Sequence, residues 1–95
     1  MHIGVVRISL ALPSRTLKEK RTIVRSVVER LRNRFNAAVA EIDALDTPAR
    51  AVIAASVISN DPSHAQAQLH EIADSISNWR LDAEVTDIET ETIPL

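Results

Sequence analysis

The spacing of the apolar residues changes period four times along this chain, from two to about 3.6 and back, and that succession constrains the fold more than any other feature. Val6, Ile8, Leu10 and Leu12 alternate along residues 2–12, as the residues of a strand do, and Pro13-Ser14-Arg15 breaks the run. Leu17, Val24, Val27, Val28, Leu31 and Phe35 then recur at helical spacing and form one apolar stripe, which predicts a helix over Leu17 to Arg34. Thr16 and Glu19 have the T-x-x-E pattern of a capping box, with Thr16 accepting from the N–H of Glu19 and Glu19 accepting from the N–H of Thr16.

Residues 37–43 read as a short second strand, Asp46-Thr47-Pro48 as a turn, and Arg50 to Asn60 as a third strand. Asp61-Pro62 starts a second helix, because Asp61 suits the N-cap and the missing N–H of Pro62 costs nothing at the first helical position. Its stripe is Ala65, Leu69, Ile72, Ala73, Ile76 and Trp79, and a threonine- and isoleucine-rich strand from Glu84 to Ile93 follows. Strand, helix, strand, strand, helix, strand is the order of an α+β ferredoxin-like plait: a four-stranded antiparallel sheet, order 4-1-3-2, with both helices on one face. Ninety-five residues suit a single domain, 1–95.

Composition narrows the function. No apolar run approaches the roughly 20 residues that span a bilayer, and the strand-like start lacks the basic n-region and unbroken apolar core of a signal peptide, so a cytoplasmic location is expected. Without cysteine there is no disulfide, thiolate nucleophile or thiolate metal site. Serines are plentiful, but none sits in a nucleophile-elbow motif, and a non-enzymatic protein is expected. An acylphosphatase-like plait would need a glycine-rich anion loop, whereas the only glycine is Gly4. His64 and His70 lie six apart, roughly 240° around a helix, and do not make a metal pair. Glu41 and Asp43, and Asp87, Glu89 and Glu91, repeat every second residue, but their strands are on opposite edges about 14 Å apart, so one ion cannot bridge them. Charges that discourage edge-to-edge aggregation account for both sets. No cofactor or metal is expected.

The net charge of −2 hides a division: residues 1–40 carry nine Lys/Arg against two Glu, and residues 41–95 two Arg against eleven Asp/Glu. Such a split marks an anionic partner or internal complementarity between interleaved halves. Eight of the eleven Lys/Arg lie between Arg15 and Arg34. On the first helix Lys18, Arg21, Arg25 and Arg32 fall within about 60° of one another beside the apolar stripe, a row able to track phosphates. Arg15 and Lys18 at the helix start add a weaker anion-binding possibility. The competing reading is a solvated face whose long side chains cover apolar surface. Lys20 falls inside the apolar stripe, so its stem should pack while its ammonium reaches a carboxylate or the helix rim. Base stacking of the kind RNA-recognition plaits use needs aromatics in the central strands, and Phe35 and Trp79 are outside them. RNA or a ribosomal subunit would therefore be met by charge and shape along the helix.

The run Val52 to Ile58 is apolar on both parities, so the sheet face away from the helices is partly apolar. Assigning Ile3, Val5, Ile53, Ala55 and Val57 to that face makes a patch able to pair two copies into a two-fold dimer. Arg7, of the same parity as Ile3 and Val5, should meet Asp87 or Glu89 there.

The opening Met1-His2-Ile3-Gly4, the segment Thr16-Leu17-Lys18-Glu19-Lys20-Arg21, the stretch Phe35 to Asp43 and the ending Thr86 to Glu91 together resemble the YlxP-like family of bacterial proteins. The resemblance covers essentially the whole chain. That family is a domain of unknown function: the resemblance implies the ferredoxin-like fold and, only through genes that often lie beside those for translation initiation and ribosome maturation factors, an accessory role near the ribosome. The segment 44–49 lacks the tryptophan common among relatives.

Overall fold

The computed structural model describes residues 1–79 and 83–95. Its elements are β1 (His2–Ala11), α1 (Leu17–Arg34), β2 (Ala38–Asp43), β3 (Arg50–Ser59), α2 (Pro62–Asn78) and β4 (Glu84–Pro94). The strands form one antiparallel sheet in the order β2-β3-β1-β4, which is the predicted order read from the other end and is consistent with the ferredoxin-like plait.

Both helices pack on one face. Val6, Ile8 and Leu10 of β1 and Ala51, Ile53, Ala55 and Val57 of β3 join Val24, Val27 and Leu31 of α1 and Leu69, Ile72 and Ile76 of α2 in a single core. Each large aliphatic buried this fully contributes about 1.5–3 kcal/mol, and with no disulfide this layer is the main source of stability. Gly4 is central to it. A Cβ there would come within 3.1 Å of Leu69 and of Val57, so the missing side chain is what lets Leu69 of α2 seat against β1.

The register corrects one expectation. Val57 pairs with Gly4, Ala55 with Val6 and Ile53 with Ile8, so Ile53, Ala55 and Val57 lie under the helices and are buried. They cannot belong to an open-face interface. Val52, Ala54, Ser56 and Ile58 face away from the helices instead, opposite Ser9, Arg7, Val5 and Ile3. Ser56 is the only polar residue inside the run and marks its solvent parity, a cue outweighed by the apolar residues on either side.

The capping box also differs in detail. The N–H of Glu19 donates to Thr16 Oγ1 at 3.2 Å as expected, but the carboxylate of Glu19 accepts from the N–H of Arg15 at 3.0 Å instead of Thr16. On β2 the register shifts between Glu41 and Asp43, so Glu41 pairs with Ile53 on the helix side and Asp43 with Val52 on the open side. The bulge splits what alternation alone placed on one face.

Candidate nucleic-acid interface

The flanks of α1 have different neighbours. On the β2 side, Lys18, Arg21 and Arg25 are exposed, and no ion pair among the described residues engages them. Arg32 shares their sector, but its guanidinium donates to the carbonyl of Val39 at 2.7 Å, which ties that residue to β2. On the other side, the guanidinium of Arg30 stacks 4.4 Å from the centre of the Trp79 ring, and Arg34 borders a hollow shared with Glu71 and Asp74. The predicted row is thus three exposed cations with a fourth fixed at its end, while the opposite pair is occupied by aromatic and acidic neighbours.

Arg15 is exposed at the start of the helix, and its backbone N–H donates to the carboxylate of Glu19 at 3.0 Å. His64 and His70 are both exposed, and no cluster of three or more potential metal ligands occurs among the described residues.

Lys20 has a structural role. It is 2% exposed, and its ammonium donates to the carbonyls of Ala44 and of Thr47, the latter at 2.9 Å, with the carboxylate of Glu41 2.9 Å away. The contact with Glu41 lacks hydrogen-bond geometry and is an ion pair only. One buried cation thus closes the β2–β3 connection, where Ala44 takes a left-handed conformation with φ 58°. In the segment Thr16 to Arg21, Thr16, Glu19 and Lys20 build the helix start and this clamp, leaving Lys18 and Arg21 facing solvent.

The open sheet face carries Ile3 and Val5 as expected, and Arg7 meets Glu89 across the β1–β4 pair at 3.2 Å. Ile3 lies between Ile58 and Ile93 in one cross-strand row, and the ends of the chain extend it, the N–H of Leu95 donating to the carbonyl of Met1 at 2.8 Å. Met1, Ile58, Ile93 and Leu95 are exposed, Ile58 by 70%. Sequence alternation brings out Ile3 and Val5 but not this cluster, because pairing alone unites residues 1, 58 and 93.

Two helices on one face of a four-stranded antiparallel sheet, with one basic helix flank, define a class by fold only. Within it, residues 3–90 match the family model described as Protein of unknown function (DUF503), and the chain belongs to that family. No curated protein matches it. No helix among the described residues is long and apolar enough to cross a membrane.

Proposed function

We propose that this protein is a non-catalytic accessory factor that associates with RNA or a ribonucleoprotein through the β2-side flank of α1. The observation that carries the proposal is the set of three exposed cations, Lys18, Arg21 and Arg25, in one angular sector of one helix and in no ion pair among the described residues. Their spacing suits contacts to successive phosphates, each of which adds a salt-dependent increment of affinity and none of which reads sequence. The ribosomal gene neighbourhood that the YlxP-like resemblance implies points the same way. Sedimentation with ribosomal subunits at low and moderate salt tests it: the wild type should co-sediment at low salt and dissociate as salt rises. Lys18→Glu with Arg21→Glu should abolish the association without changing the melting temperature, because both side chains are outside the core. Retention of the double variant at wild-type levels would overturn the proposal.

A second reading, self-association through the open sheet face, draws support from the apolar cluster of Met1, Ile3, Ile58, Ile93 and Leu95. A two-fold contact sets such a patch against itself. Light scattering at tens of micromolar decides: a dimer that Ile58→Asp converts to a folded monomer supports the reading, and a wild-type monomer defeats it.

A further inference from the structure

We infer that the outer edge of β4, with the groove between β4 and α2, receives an extended peptide strand in which basic residues alternate with small apolar ones. β4 is the terminal strand of the sheet and pairs with β1 along nearly its whole length, from His2 opposite Pro94 to Ala11 opposite Glu84. Its other side therefore presents backbone donors and acceptors with no strand partner among the described residues, over the longest strand of the molecule. Proteins that bind peptides by strand addition use such an edge, with main-chain hydrogen bonds giving affinity and pockets for alternate side chains giving specificity.

The two faces of this edge specify what an added strand must carry. On the helix side, a groove of about 500 Å³ opens beside β4, lined by Leu69 and Ala73 of α2 and by Ile88, Thr90 and Thr92, with the polar Gln66, His70 and Glu91 at its wall. Its size falls within the range of ligand-binding clefts, and its floor favours small apolar or hydroxyl side chains. On the open side Asp87, Glu89 and Glu91 pair with Ser9, Arg7 and Val5 of β1, and of the three only Glu89 has an ion-pair partner among the described residues. Side chains of an added strand would stand directly across from these carboxylates at about 5 Å between Cβ atoms, where opposite charges stabilise the pairing and like charges oppose it. A second copy adding its own β4 about a two-fold axis would set acid against acid. The edge thus rejects itself and accepts a strand basic on one parity and apolar on the other.

The test uses the full chain, isotope-labelled, titrated with the capped peptide Lys-Val-Lys-Val-Lys-Val-Lys and with its Glu-Val counterpart. The basic peptide should saturate and shift the amides of residues 85–92 and of the groove wall on α2, while the acidic one leaves them in place. Asp87→Lys with Glu91→Lys should weaken binding by about tenfold or more through charge. Ala73→Phe should weaken it by filling the groove from the helix, and the amide spectrum shows whether each variant remains folded. Lys18→Glu with Arg21→Glu should leave peptide binding unchanged, which separates this site from the RNA surface. Equal binding of the two peptides, shifts confined to other elements, or no saturation at millimolar peptide would overturn the inference.

Discussion

The two edges of the sheet have been treated in opposite ways. β2 has six residues, is bent by a bulge, and is tied into the molecule by α1, with Arg32 holding the Val39 carbonyl and Lys20 holding the connection that follows. β4 has eleven residues, carries a bulge only near its start, and is lined by carboxylates with a groove beside it. The sign of charge follows the same division, with the free cations of α1 on the β2 side and the acidic row on β4. The lopsided charge of the sequence is therefore not cancelled by folding. The two described ion pairs that join basic first-half to acidic second-half residues, Arg7–Glu89 and Lys20–Glu41, leave Lys18, Arg21 and Arg25 unengaged. An edge closed by the fold's own side chains and an edge guarded only by charge serve different purposes: the first stabilises, and the second remains open to a partner of opposite sign.

The sharpest way to break the contrast is to remove the clamp. Lys20→Met should leave Glu41 and the carbonyls of Ala44 and Thr47 without their cation and cost about 3–5 kcal/mol, read as a lower urea midpoint at unchanged slope. Amide exchange in β2 should rise with it while β4 is little altered. If Lys20→Met melts like the wild type, the β2 edge is not held by that residue.

Gly4→Val sharpens the comparison from the other side, because the added methyl groups must displace Leu69 or Val57 from contacts already as close as a Cβ allows. Overpacking of this kind costs about 1–3 kcal/mol and should reshape the α2–β4 groove along with it. Calorimetry reads the first effect, and amide shifts at residues 69–73 and 88–92 read the second.

Arg7→Ala should have the smallest effect. The pair with Glu89 is more than half exposed on both sides, and such pairs contribute at most about 1 kcal/mol, further reduced by salt. A change in melting temperature that persists in high salt would show that Arg7 does more on the open face than neutralise Glu89.

The order of elements, both helix starts and the alternation of β1 were legible because each rests on local chemistry: Thr16 and Asp61 cap within three residues, and Val6, Ile8 and Leu10 differ in character from Arg7 and Ser9 beside them. Arg7 against Glu89 was legible too, since strand order and parity together leave few partners. The orientation of β3 was not. Ile53, Ala55 and Val57 and their neighbours Val52, Ala54 and Ile58 are all apolar, and Ser56 alone is too slight a local cue to select which set faces the helices. The choice falls to register against β1, where Gly4, Val6 and Ile8 admit the side chains that meet α2.

Of the candidate sites, the sequence by itself determined that α1 is basic and that Lys20 lies on its buried stripe, because helical periodicity alone fixes angular position. Tertiary structure alone decided which cations of α1 are engaged: Arg32 is spent on a carbonyl of β2 and Arg30 on the ring of Trp79. It also decided that Met1, Ile58 and Ile93 share a surface and that an acidic strand borders a groove. Those partners lie far apart along the chain, and only pairing across the sheet and packing of α2 on Gly4 bring them within reach of one another.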